Sequence, residues 1–248
     1  MHSILAIIPA RYASTRFPGK PLIDLGGKTM IQRVFEQAQK ATRIQEVVVA
    51  TDDERIFNHV QSFGGHAVMT RADHVSGTDR CYEALQLLKG SFDYVVNVQG
   101  DEPFIQPEQI DLLAGALDGN VEIATLAKKI DDPASIFNPN VVKVVFNVKG
   151  KALYFSRSPI PHLRNYPENE WINHGNCYKH IGMYAYRTDI LKQLTHLPVS
   201  ALEQTESLEQ LRWLDNGYSI TVLETNLETL GIDSPEDAER ARKILAGH

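Results

Sequence analysis

The sequence predicts an α/β fold with a mostly parallel central sheet, helices on both faces, and a smaller mixed-sheet insertion. Three observations carry this. Short apolar runs recur, they lack the polar alternation of half-exposed strands, and helical patterns of ten or so residues separate them. Residues 4–8 (ILAII) read as a strand buried on both faces, as do 46–51 (EVVVAT) and 94–98 (YVVNV). Helical patterns cover 30–40, 54–63 and 78–88, and that spacing implies βαβ crossovers.

After DDPASIFNP at 131–139 the pattern changes. The runs 141–147, 152–156 and 178–186 are strand-like with no full helix between them, which places the insertion at about 130–190. The long polar segment 159–176 reads as a functional loop or a contact between subunits. A helix over 203–216, a strand over 219–224 and a final helix follow. Ser234 is placed to cap that last helix, Pro235 sits at its first position, and acidic residues fill its first turn. The expectation is a single domain over 1–248.

Composition narrows the function classes. Among 248 residues, 25 Lys and Arg against 31 Asp and Glu give a net charge of −6, which argues against wrapping a nucleic acid but leaves room for a local anion pocket. Two distant cysteines, Cys81 and Cys177, fit free thiols in a reducing compartment, so a cytoplasmic location is expected. No run approaches the ~20 apolar residues of a membrane span, so no membrane partner is expected.

The segment after the first strand carries the chemistry. In an open parallel sheet that loop lies at the carboxyl edge, where ligands bind. Here it brings Pro9, Ala10, Arg11, Ser14, Arg16 and Lys20 together with a Pro-Gly turn. Guanidinium groups suit bidentate phosphate contacts and an ammonium acts as a point charge, so the loop suits a triphosphate; the GxxxxGK[ST] spacing of a Walker loop is absent. Asp101, after the strand 94–98 and beside Gly100, is placed either to hold Mg²⁺ against phosphate oxygens or to cap the helix starting near Pro107. Thr70, Arg71, Ser76, Gly77 and Thr78 lie in a segment that fits either a base-and-ribose contact or a plain helix start. His74 has no partner at zinc spacing. Along 178–186, strand alternation points His180, Gly182, Tyr184 and Tyr186 one way, toward a sugar-acid pocket or into the core.

These strings resemble the sugar nucleotidyltransferases of Rossmann-like fold, and within them the 3-deoxy-manno-octulosonate (Kdo) cytidylyltransferases. The resemblance rests on IIPARYASTRFPGKPL at the front, TRADHVSGTDR at 70–80, VNVQGDEP at 96–103 and FNPNVVKVV at 137–145. It continues through ALYFSRSPIP at 152–161, KHIGMYAYR at 179–187, LEQLR at 208–212 and GIDSPEDAERAR at 231–242. Phe17 departs from the leucine common there, and 159–176 matches only at its ends.

The resemblance implies an enzyme that joins CTP and Kdo into CMP-Kdo and pyrophosphate for lipopolysaccharide synthesis, as a homodimer. It implies Mg²⁺ held by Asp101 and Asp233, with Lys20, Arg11 and Arg16 at the triphosphate, and Gln99 with the 70–80 segment framing the nucleotide. On the acceptor side it implies Arg157, His180, Tyr184, Tyr186, Glu209 and Gln210, with Arg157 and His180 facing the acceptor carboxylate. The rivals are the same transfer to another 2-keto sugar acid, such as 8-amino-Kdo or a nonulosonic acid, and a non-catalytic nucleotide-binding protein.

Overall fold

The structure is a computed structural model that describes residues 2–13 and 17–247. The chain divides into two compact units, Met1–Gly115 with Glu228–His248, and Ala116–Leu227.

Unit 1 is the parallel α/β part. Its elements are β1 (Ile4–Ala10), α1 (Met30–Gln39), β2 (Glu46–Thr51), α2 (Glu54–Ser62), β3 (Ala67–Met69), α3 (Gly77–Leu87), β4 (Tyr94–Asn97) and α4 (Pro107–Gly115). The strands run in the order β3-β2-β1-β4, every pair parallel. Leu5, Ile7, Ile8, Val48, Val49, Val95 and Val96 have no exposed surface, so both faces of the strands are covered. Thr29, Asp53 and Ser76 each accept a backbone N–H at the start of the next helix, worth about 1 kcal/mol apiece.

Unit 2 is built around antiparallel pairing. It contains β5 (Ile123–Lys129), α5 (Pro133–Phe137), β6 (Lys143–Phe146), β7 (Ala152–Ser156), α6 (Trp171–His174), β8 (Tyr178–Arg187), α7 (Thr188–Leu194), α8 (Ala201–Glu206), α9 (Gln210–Asp215) and β9 (Ile220–Glu224). β5 lies between β8, antiparallel, and β9, parallel; β6 pairs antiparallel with β7 and β8. The chain then returns to unit 1 with α10 (Pro235–Leu245).

The strand readings stand within two residues at either end, and the helices over 30–40, 54–63 and 78–88 stand within one. Two other expectations change. The helix expected over 203–216 is two short helices, broken at Ser207, whose φ of 52° lies in the left-handed region. The segment 159–176 is not bare loop: it holds a 3-10 turn and α6, because Trp171 buries itself against Ile130, Ile136 and Cys177. The sequence reading did not single out β5, α5 and α7.

Candidate active site

β1 ends at Ala10 and the chain turns at once into the cationic loop, whose Ser14 and Arg16 lie outside the described residues. The far end of that loop is pinned. Gly19 takes a φ of 72°, its N–H donates to Tyr12 O at 2.9 Å, and an added Cβ would meet the Tyr12 ring at 3.1 Å. A short 3-10 turn, Lys20–Leu22, then delivers Lys20. A pocket of about 360 Å³ opens here, lined by Pro9, Ala10, Arg11, Lys20, Gln99 and Asp101 among others. Gly100 lets the two strand ends approach, since a Cβ on it would come within 2.8 Å of Pro9 O.

Lys20 Nζ donates to Asp101 Oδ2 at 2.8 Å and to Asp233 Oδ1 at 3.1 Å. Burial disfavours the ammonium, yet the two carboxylates outweigh it and hold its pKa above the ordinary lysine value. Asp101 and Asp233, far apart in sequence, therefore converge on one cation. The cause is packing: Ile232, Ala238 and Ala241 bury against Leu25 and Met30, and Ile232 N–H donates to Asp101 O at 2.9 Å. Burying the Ile232 side chain is worth about 1.5–3 kcal/mol.

Neither aspartate is spent on a helix cap. α4 starts at Pro107, six residues past Asp101. α10 is capped by Ser234, which forms a reciprocal capping box with Asp237. Next to Asp101, Glu102 is a residue the sequence reading did not single out. Its Oε2 is buried with no hydrogen-bond partner, and burial together with the Asp101 charge pushes its pKa up to about 8.

Arg11 Nη2 donates to Ser76 O at 3.2 Å, which ties the cationic loop to the 70–80 segment. Within that segment Ser76 caps α3 through Asp79 N–H, and Gly77 opens the helix. Arg71 pairs with Asp73 at 3.2 Å while its backbone N–H donates to Glu83, which also holds His74. Thr78 is buried, and Thr70 Oγ1 accepts from Arg80 Nη1 at 2.5 Å. Arg80, also unflagged by sequence, is fully buried 3.4 Å from Asp52. Burial lowers its pKa against the pull of Asp52. An arginine on a polar helix face gives no sequence signal that it points inward.

The residues expected on the acceptor side lie in unit 2. β8 carries two extra residues opposite the Thr125/Leu126 step, so Thr125 faces Tyr184 while Ala127 faces His180. This bulge draws His180 and Tyr184 to 5.3 Å between ring centres, with Tyr186 stacked on Tyr184 at 5.9 Å and Trp213 edge-on to both tyrosines. Tyr184 Oη is buried and has no hydrogen-bond partner, and burial raises its pKa well above the ordinary range. Tyr186 is fully buried.

His180 Nε2 sits 2.9 Å from Thr125 Oγ1, whose own hydroxyl donates to Met183 O at 2.8 Å, so the ring donates through Nε2. Burial drops the His180 pKa to about 3. The ring is therefore neutral: its one N–H is committed to Thr125, and it leaves an acceptor nitrogen and an apolar edge. Gln210 is buried and Glu209 precedes it at the start of α9. Arg157 is anchored to backbone carbonyls near β7.

Among the described residues no three His, Cys, Asp or Glu side chains group as a metal site, and no helix is long and apolar enough to cross a membrane. The aspartate pair on Lys20 matches what Mg²⁺ asks of a protein, namely one or two carboxylates with phosphate oxygens completing the shell.

The cytidylyltransferase family model matches residues 5–222. The chain is 60% identical over 239 residues to a 3-deoxy-manno-octulosonate cytidylyltransferase of Cytophaga hutchinsonii, covering 96% of each chain. It is 56% identical over 251 residues to the protein of that name from Parabacteroides distasonis, covering 99% of each. A solved structure of CMP:2-keto-3-deoxy-manno-octonic acid synthetase complexed with CTP superposes with a TM-score of 0.92 at 45% identity, over 99% of both chains. With cations and carboxylates gathered where β1 and β4 end, and likeness running along the whole chain, the protein belongs to the cytidylyltransferase family.

Proposed function

We propose that the protein transfers CMP from CTP to Kdo, forming CMP-Kdo and releasing pyrophosphate. The observation that carries this is the Lys20 ammonium clasped by Asp101 and Asp233 beside a pocket containing Arg11 and Gln99. The pocket offers cations for the triphosphate, and the adjoining carboxylate pair would hold Mg²⁺, which is the demand of nucleotidyl transfer: positioning and charge stabilisation with little covalent chemistry by the protein. The relatives' names support Kdo as the acceptor and CTP as the donor.

Arg11 and Lys20 bind the triphosphate, with Arg16 in the same loop. Pro9, Ala10 and Gln99 shape the base and ribose side, together with Thr70, Arg71, Ser76, Gly77 and Thr78. Asp101 and Asp233 would hold Mg²⁺, which would supply neutralisation of phosphate charge. Arg157 receives the acid's carboxylate. Neutral His180, Tyr184 and Tyr186, with Glu209 and Gln210, offer an apolar floor and hydrogen bonds to its hydroxyls. Exclusion of water by those rings favours the sugar hydroxyl as nucleophile.

The same reading places the enzyme in the cytoplasm, feeding lipopolysaccharide synthesis, as a homodimer. Support for pairing comes from Val148 and Leu153, exposed apolar residues on the β6–β7 hairpin. Sedimentation reads the pairing directly.

Pyrophosphate release with CTP and Mg²⁺, run against Kdo, 8-amino-Kdo, N-acetylneuraminate and no acceptor, tests the function. Release with Kdo alone is expected. Release with another acid overturns only the acceptor, and silence across the panel with CTP still bound overturns catalysis.

A further inference from the structure

Arg157 is held at every polar atom it has. Its backbone N–H donates to Glu206 Oε2 at 2.9 Å, Nε to Glu206 O at 2.7 Å, Nη1 to Pro139 O at 3.1 Å and Nη2 to Ser207 O at 3.3 Å. Its own carbonyl accepts from Lys143 Nζ at 2.6 Å. That ammonium, fully buried on β6, also donates to Val141 O at 2.6 Å and Asn138 O at 2.9 Å. Glu206 Oε1 takes the neighbouring Ser156 hydroxyl at 2.6 Å, so one carboxylate grips two consecutive residues at the end of β7. Ser207 is the one non-glycine with positive φ among the described residues, and its strained turn sets two successive carbonyls against the guanidinium.

Two features separate this cradle from an ordinary buried ion pair. Every acceptor the guanidinium itself meets is a neutral carbonyl, so its charge is oriented without being neutralised. A guanidinium has five N–H donors, and the three bonds leave one on each Nη, the pair that a carboxylate takes as a fork. We infer that Lys143 and Glu206 are positioning residues that pre-orient Arg157 for the carboxylate of the sugar acid. This rests on the acceptor role proposed for Arg157. Burial lowers the Lys143 pKa while the Glu206 charge opposes it, which fits an ammonium kept in place by carbonyls.

The test is steady-state kinetics of the full chain, with CTP and Kdo varied separately, for Arg157→Ala, Glu206→Gln, Lys143→Met and the double variant R157A/E206Q. Arg157→Ala should raise KM for Kdo by about 100-fold, and Glu206→Gln and Lys143→Met by about tenfold, with KM for CTP nearly unchanged. The double variant should be no worse for Kdo than Arg157→Ala alone, because Glu206 acts only through Arg157. If Arg157→Ala raises KM for Kdo while Glu206→Gln leaves it at the parent value, or if the two effects add fully, the positioning role is overturned and the acceptor role survives. If Arg157→Ala itself leaves KM for Kdo unchanged, the acceptor role falls and takes the inference with it. Should Lys143→Met fail to fold, Glu206→Gln decides alone.

Discussion

Lys20 in unit 1 and Arg157 in unit 2 are both half-buried cations with every near partner in place, yet the partners differ in kind. Lys20 is clasped by two carboxylates on side chains, which can pass to another cation. Arg157 is clasped by backbone carbonyls, which cannot leave and which do not cancel its charge. The first arrangement is exchangeable and suits a site where charged groups come and go. The second is fixed and suits recognition of one functional group.

The largest expected effect breaks the exchangeable side. Asp101→Asn should cut turnover about 10³-fold, read as pyrophosphate release at saturating CTP and Mg²⁺. Turnover near the parent rate would remove Asp101 from the charge-handling role. On the fixed side, Lys143→Met leaves the carbonyls of Asn138, Val141 and Arg157 without their shared donor. About 3 kcal/mol of stability should be lost in urea unfolding. A loss under 1 kcal/mol would mean that the cradle relaxes freely.

Lys20→Met sharpens the contrast. It frees the aspartate pair, so Mn²⁺ should bind the nucleotide-free protein about tenfold more tightly, measured by electron paramagnetic resonance. Equal Mn²⁺ affinity in variant and parent would show that the ammonium does not compete for those oxygens.

The last contrast concerns His180. Its folded pKa of about 3 lies below the unfolded value of ~6.5, so the unfolded chain takes up a proton first as pH falls. The stability that neutral His180 contributes is complete above pH ~6.5 and is lost as pH falls toward 3, by at most ~1.4 kcal/mol per unit. His180→Gln should flatten that slope in urea titrations between pH 6.5 and 4. An unchanged slope would place the acid sensitivity elsewhere.

Much of unit 1 was legible because parallel strands buried on both faces print as continuous apolar runs, and a cationic loop follows the first of them. The capping of α10 by Ser234 was legible for a similarly local reason. What joins distant parts was not. The meeting of Asp101 with Asp233 depends on how Ile232 and α10 pack, which no spacing encodes. Strand alternation put His180 and Tyr184 on one face, but only the bulge opposite Thr125 makes them neighbours. The break at Ser207 carries no glycine or proline to announce it, and nothing in the strand-like run 141–147 marks Lys143 for the three carbonyls its ammonium meets.

Unit 1 is discontinuous: residues up to 115 wait for 228 onward, with all of unit 2 synthesised in between. At ~5–20 residues per second, a ribosome needs roughly 5–25 s to cross that gap. Throughout it, Leu25 and Met30 lack the apolar face of α10, and Lys20 has one of its two carboxylates. A chain released before residue 233 lacks the second of the two carboxylates on Lys20. Asp233 and α10 are therefore the last parts of unit 1 to arrive, long after the loop that carries Lys20 and the strand that precedes Asp101.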